Sequence, residues 1–119
     1  MNDKSSEAVL DPAVIDRLRQ LGREVGRDDF LAQMAETFLE SLPSLQDLEA
    51  KINEQDGDAV YAMAHSLKGN SASFGALRLA ALAGELEDEA DAGLDEPWPR
   101  WQEFASEFVA VGAALRTIS

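Results

Sequence analysis

The sequence predicts an all-α domain, built as an up-and-down antiparallel helical bundle. Apolar residues make up 45% of the 119 positions, and Leu and Ala dominate them, while the strand-favouring Thr, Tyr and Ile are sparse. Apolar residues recur at helical spacing in successive segments. The connections between these segments are short, which favours antiparallel neighbours in a bundle. A chain of this length is enough for one domain.

The N-terminal part of the chain predicts a tail followed by a capped helix. Residues 1–9 are polar and predict a flexible tail, which leaves 10–119 as a single helical domain. In the first helix, Asp11 can cap the N-terminus, Pro12 suits the first turn, and Gly22 is expected to end the helix.

The next two predicted helices are separated by a proline. The second helix covers 27–42 and is expected to begin at Asp28 or Asp29. Pro43 cannot continue that helix without a kink, but it can open a new one. A third helix, or a kinked extension of the second, is therefore expected over 43–54.

The fourth helix carries the only histidine of the chain. Asp58 is its expected N-cap, after the turn EQDGD, and the helix is expected to run to about residue 72. Phe74 is expected to plug the end of the bundle, and Gly75 is expected to be the pivot of the turn that follows.

Two more helices complete the predicted bundle. The fifth follows the turn, and the sixth begins near Trp98 after the longest loop, AGLDEPWP at 92–99. Trp98 and Trp101 are expected to pack in the core or at the end of the bundle rather than to form a ligand platform. We expect the last four helices to form the bundle and the first two to cover it.

Charge and composition exclude several classes of partner. The formal net charge is −13, with 10 cations among 23 acids, whereas nucleic-acid binders need a basic footprint. Neither nucleic acid nor a membrane is therefore expected as a partner. No apolar run approaches the roughly 20 residues of a membrane span, and the N-terminus lacks the apolar segment of a signal peptide. The lack of these two kinds of apolar segment, together with the absence of cysteine, predicts a cytoplasmic protein.

Three kinds of functional site are not expected, because the sequence lacks the residues that their chemistry needs. The acidic run ELEDEADAGLDE at 85–96 lacks the calcium-loop pattern, so a solvated helix face is expected. A di-metal bundle needs two Glu-x-x-His pairs, which a single histidine excludes. No G-x-S-x-G nucleophile elbow is present for hydrolysis. We therefore expect no bound metal and no cofactor in this chain.

His65 lies one step from the apolar stripe of its helix, among small residues and one cation. Positions three and four apart are helix neighbours, so Lys68 and Gly69 lie beside His65. Ala62 and Ala72 fall on the same face. A glycine inside a helix costs about 1 kcal/mol of helix stability relative to alanine. That cost is expected where another molecule must approach the helix closely. His65 is therefore a candidate acceptor of a phosphoryl group whose charge Lys68 would offset.

A carboxylate on the fifth helix is expected to orient this imidazole. Antiparallel pairing places four acids within reach of His65: Glu85, Glu87, Asp88 and Glu89. A hydrogen bond from Nδ1–H to one of them would leave Nε2 free and more basic, but spacing alone does not choose among the four. The alternative interpretation is a boundary or core histidine beside a solvated lysine.

The stretch AHSLKGNSASFGA at 64–76 resembles the signature of histidine-containing phosphotransfer (HPt) domains, in which His-x-x-Lys-Gly precedes a small-residue turn and Gly-Ala. The resemblance covers most of the chain. LDPAVIDRLRQLG resembles the first helix of the family, FLAQMAETFLESLPSLQDLEA its second and third, GDAVYAMAHSLKG the histidine helix, and ALRLAALAGELED the helix that follows. It implies an HPt-like fold, a four-helix bundle with additional N-terminal helices.

The resemblance also implies roles for individual residues. His65 matches the phosphorylated histidine, which reacts through Nε2, and Lys68 matches the lysine that approaches the phosphoryl group. Gly69 matches the glycine that leaves room for the partner, and Glu87 matches the residue that orients the histidine through Nδ1. The partner-binding face is expected around Ala62, Ser66, Gly69 and Ala72, with Arg78 as a further candidate contact.

These features together predict a phosphocarrier in a two-component phosphorelay. It would accept a phosphoryl group on His65 from a receiver-domain aspartyl phosphate and pass it to another receiver aspartate. The expected partners are receiver domains of response regulators and of a hybrid histidine kinase, with Mg²⁺ bound by the receiver. No nucleotide-binding motif is present, so no autonomous kinase activity is expected, and we expect a monomer. The alternative is a receiver-binding helical module whose histidine is not phosphorylated.

Overall fold

A computed structural model describes residues 9–94 and 98–118. Within these ranges the chain forms six α-helices and no strand, which confirms the all-α prediction: α1 (Pro12–Glu24), α2 (Phe30–Ser41), α3 (Leu45–Asn53), α4 (Gly57–Ser73), α5 (Leu77–Ala92) and α6 (Trp101–Ile118). None of these helices combines the length and the hydropathy needed to cross a bilayer. Residues 1–8 of the predicted tail and 95–97 of the predicted loop lie outside the described residues.

The helices α4 and α5 are antiparallel neighbours joined by a tight turn. Gly75 is the pivot of this turn, with a φ of +81° in the left-handed region that favours glycine. At one end of the pair Gly57 packs against the backbone of Ala90, and further along α4 Lys68 lies against Gly84. From Gly57 to Lys68 along α4, the contacted residue on α5 moves back from Ala90 to Gly84. The two contacts therefore define the antiparallel register between the histidine helix and α5.

The last helix, α6, packs antiparallel against α5. Arg100, which immediately precedes α6, pairs with Glu85 at 2.7 Å. Glu103, one turn further on, pairs with Arg78 nearer the start of α5, at 3.5 Å. Helix α6 begins at Trp101 instead of near the predicted Trp98.

Buried side chains from all six helices form the hydrophobic core, and aromatic rings fill one end of it. Phe104 is fully buried, and the rings of Trp98, Trp101 and Phe108 lie 5.7 to 6.1 Å from its own. At the α4–α5 turn Phe74 is buried, as predicted, with its ring centroid 5.7 Å from that of Phe38. The other fully buried large side chains come from α3 to α6: Leu48, Ile52, Val60, Leu79, Leu86, Val111 and Leu115.

Helix α2 has a larger share in the bundle than the covering role expected from the sequence. It packs along α6, and its apolar stripe is buried in the core at Leu31, Ala35 and Phe38. Helix α1 contacts α2 and is tied to the α4–α5 turn by a hydrogen bond from the Asp11 N–H to the Gly75 carbonyl. The expected cover is therefore α1 alone, which contributes only Ile15 to the buried hydrophobic core.

Three local predictions were wrong. Gly22 does not end α1, which continues to Glu24. It lies inside the helix, where any Cβ would meet Phe30 at 2.8 Å, so close packing explains this glycine. The N-cap of α4 is Asp56 instead of Asp58, because its carboxylate accepts from the Ala59 N–H. Val9, assigned to the tail, packs against the core.

Candidate functional site

The exposed face of α4 gathers the small residues that were predicted to surround His65. The His65 side chain is 64% exposed. On the same face the neighbouring residues are exposed as well: Ala62, Ser66, Gly69 and Ala72. The opposite side of α4 is buried in the core through Val60, Ala64, Leu67 and Ser71. The helical period therefore places the histidine at the surface, with small side chains around it.

Glu87 is the carboxylate that α5 places against the imidazole. Its Oε2 lies 2.6 Å from His65 Nδ1, and only 7% of its side chain is exposed. An Nδ1–H that donates to this oxygen leaves Nε2 without a proton. Of the four acids that spacing left open, the register selects Glu87. Glu85 is turned towards Arg100 instead.

Lys68 shares the same carboxylate, which the sequence did not predict. Its Nζ donates to Oε1 of Glu87 at 2.5 Å, so Glu87 bridges the lysine and the histidine. The hydrogen bond with Glu87 raises the pKa of Lys68. The pKa of Glu87 is lowered most by the hydrogen bond from Lys68 and next by the hydrogen bond from His65. At neutral pH the bridge is therefore a carboxylate whose Oε1 accepts from the Lys68 ammonium and whose Oε2 faces Nδ1 of His65.

Acid is expected to weaken the fold more in the wild type than in Glu87→Gln. The pKa of Glu87 in the folded chain lies below its ordinary value of 4.5. The carboxylate therefore stabilises the fold above that value, and the stabilisation is lost as the pH falls through the lowered folded pKa. Urea unfolding at neutral pH and well below pH 4.5 measures this. The stability advantage of the wild type should shrink in acid, and a pH-independent advantage would contradict the prediction.

Gly69 faces open space. A Cβ built at this position would meet no atom within 4 Å beyond its own helix and chain neighbours. Close packing of α4 against another helix therefore does not explain the glycine. The cost of a glycine inside the helix is instead consistent with room for a second molecule beside His65.

Arg78 lies away from the histidine. It pairs with Glu103 of α6, beside the Arg100–Glu85 pair. Nine residues separate Arg78 from Glu87, which is about 13 Å along the helix axis. The structure thus brings together His65, Lys68, Gly69 and Glu87 but leaves Arg78 in a separate ion-pair group, because Arg78 lies more than two turns from Glu87 along α5 and pairs with Glu103 of α6.

Tyr61 is a neighbour of His65 that the sequence analysis missed. The phenol ring stacks on the imidazole with the planes 5° apart and the ring centroids 6.0 Å apart. The available signal was the spacing, since residues four apart on a helix share a face.

Within the described ranges, no group of three or more His, Cys, Asp or Glu side chains has an arrangement that could hold a metal ion.

Comparisons with known proteins find a matching family model and a similar solved structure. The family model described as "Hpt domain" matches residues 27–118. The crystal structure of histidine-containing phosphotransfer protein B (HptB) from Pseudomonas aeruginosa PAO1 is similar, with a TM-score of 0.73 and 26% sequence identity. That match covers 94% of this chain and 95% of that chain. A search of curated proteins finds no significant match.

Proposed function

This chain belongs to the Hpt domain family, and on that premise we propose that it carries phosphoryl groups on His65 between receiver domains. Nε2 of His65 attacks the phosphorus of an aspartyl phosphate on one receiver. The N–P bond forms as the bond between phosphorus and the aspartyl oxygen breaks, and the aspartate leaves as a carboxylate. Attack by the aspartate of a second receiver then returns the imidazole to its free form.

The observation that carries this proposal is the hydrogen bond between His65 Nδ1 and Glu87. A nucleophilic imidazole needs one nitrogen unprotonated and accessible. The nearly buried carboxylate of Glu87 fixes the proton on Nδ1, while the imidazole itself is largely exposed. Nε2 is then both free of a proton and open to a partner.

Lys68 supplies positive charge beside the acceptor nitrogen. In the chain as it stands, its ammonium is bound to Glu87, but the side chain remains 43% exposed. We expect the ammonium to extend towards the phosphoryl group when it arrives and to offset the charge gained by the imidazole. Mg²⁺ and the acidic pocket of the reaction would come from the receiver. Glu87 would remain on Nδ1 throughout.

The surface around His65 suits the docking of a folded partner. Small, uncharged residues form most of it, beside Tyr61 and Lys68, so a partner can approach the imidazole closely. An apolar groove between α2 and α4 adjoins this surface on the Gly69 side: Phe30, Met34, Phe38, Asn70, Ser73 and Phe74 line it. We propose receiver domains of response regulators and of a hybrid histidine kinase as the partners.

Transfer from a receiver freshly phosphorylated on aspartate, with Mg²⁺ present, tests the proposed function. Label that moves to this chain and is stable in alkali but lost in acid marks a phosphohistidine. Binding to the receiver without any label, across a panel of receivers, would favour the alternative of a receiver-binding module whose histidine is not phosphorylated. Loss of both binding and label would leave a structural bundle.

Gly69→Glu is expected to slow transfer without harming the fold. The new side chain enters open space and replaces a poor helix former, so stability should rise by about 0.5–1 kcal/mol. The same side chain obstructs the approach to His65, and we expect transfer to slow by about tenfold or more, since small errors in geometry cost large factors in rate. Single-turnover transfer and urea unfolding measure the two effects.

Ala81→Glu is the matched control for this change. Ala81 is exposed on α5, on the face shared with Arg78 and Glu85. The variant adds the same charge on the side of α5 turned away from His65 and should transfer at the wild-type rate. Equal transfer by Gly69→Glu and Ala81→Glu would show that Gly69 is outside the docking face.

A further inference from the structure

Tyr61 places an aromatic ring against one face of the His65 imidazole. It lies one turn before the histidine on α4, and side chains on a helix lean towards its N-terminus, so the imidazole leans over it. The 6.0 Å between the two ring centroids is within the range of offset aromatic stacking. Tyr61 is 42% exposed, so burial in the core does not explain why a large aromatic side chain lies here.

Two contacts then hold the imidazole, and each limits a different motion. The bond from Nδ1 to Glu87 fixes a point in the plane of the ring. It leaves the ring able to tilt about the axis of that bond. The phenol ring, parallel to within 5°, opposes the tilt. Because the His65 side chain is 64% exposed, packing against other neighbours adds little further restraint.

We propose that Tyr61 is a positioning residue for phosphoryl transfer, which holds the plane of the imidazole so that Nε2 faces the incoming phosphoryl group. This inference rests on the proposed function. Phosphoryl transfer requires the attacking and leaving atoms to lie roughly in line, and a misplacement of about 1 Å can cost roughly 100-fold in rate. Tyr61 acts through His65, so the aromatic face is required and the hydroxyl is not.

The test compares Tyr61→Leu, which removes the aromatic face, with Tyr61→Phe, which keeps it. At saturating phosphorylated receiver we expect Tyr61→Leu to lower the maximal transfer rate about tenfold and Tyr61→Phe to change it less than about twofold. The half-saturating receiver concentration should stay the same. A changed half-saturating concentration with an unchanged maximal rate would overturn the proposal and make Tyr61 a partner contact. Equal rates in all three proteins would also overturn it.

The single histidine of the chain provides a second readout that needs no receiver. Because His65 is the only histidine, its ring C–H signals in an NMR spectrum are unambiguous. The ring current of the phenol should shift these signals in the wild type and in Tyr61→Phe, and the shift should disappear in Tyr61→Leu. Identical histidine signals in the wild type and Tyr61→Leu would overturn the stacking and with it the proposal.

The two proposals fail in different ways. A wild-type chain that takes up no label from any receiver would overturn the proposed function, and the role of Tyr61 in transfer would fall with it. Uptake by the wild type at a rate that Tyr61→Leu matches would overturn only the role of Tyr61. Circular dichroism of each variant confirms that the helices are retained, which the exposure of Tyr61 leads us to expect.

Discussion

His65→Gln is expected to abolish phosphate uptake and to leave the fold intact. A glutamine amide can replace part of the hydrogen bonding to Glu87, but it has no nucleophilic nitrogen to form an N–P bond. The imidazole is largely exposed to solvent. Because the amide keeps part of the hydrogen bond to Glu87, the replacement should cost no more than about 1 kcal/mol of unfolding free energy.

The measurement is label transfer from a phosphorylated receiver, with both variant and control in the same assay. Thr117→Ala is the control, because Thr117 carries an exposed hydroxyl on α6, outside the partner-binding face expected around His65. It should keep full uptake of acid-labile, alkali-stable label. Label that survives in His65→Gln would assign the acceptor to another residue, and label that disappears in Thr117→Ala would show that the assay does not report on His65 alone.

Phe104→Ala is expected to cost about 3–5 kcal/mol of unfolding free energy. Phe104 has no exposed surface, and three aromatic rings surround it at the end of the bundle near the start of α6. Truncation leaves a cavity among rigid rings that cannot collapse into it, so the loss should lie well within this range. The total unfolding free energy of a small domain is only about 5–15 kcal/mol. The variant would therefore lose a large part of its folded population at elevated temperature.

Urea unfolding of Phe104→Ala, followed by circular dichroism, measures this loss as a lower midpoint with an unchanged slope. Val109→Ala is the control on the same helix, since Val109 is 60% exposed and should lose no more than about 0.5 kcal/mol. Similar midpoints for the two variants would show that the aromatic cluster contributes little to the stability of the core.

The order and type of the helices were predictable because they depend on local features. The apolar spacing of each segment and the cap at Asp11 act within one or two turns. The same applies to part of the site. His65, Lys68 and Gly69 lie within five positions of one helix, so helix geometry alone makes them neighbours.

Side-chain competition at the ends of elements was less predictable. Asp56 and Asp58 are both acceptable caps by residue type, and the turn before α4 determines which of the two carboxylates reaches a free N–H. Glycine is a residue type that commonly ends helices, but Gly22 lies inside α1. Its lack of a side chain allows the close contact with Phe30 on the next helix. Local propensity contains no information about such contacts.

The sequence by itself determined the helical class, the exposed face of α4 and the candidate acceptor, since His65 is the only histidine. Spacing left four acids open and the family resemblance implied Glu87. The tertiary structure decided that Glu87 meets His65, because that contact depends on the register and rotation of two packed helices. It also decided that Lys68 shares Glu87 and that α2 joins the core. These contacts form between segments far apart in the chain, where the packing of side chains, and not their spacing in sequence, sets the distance.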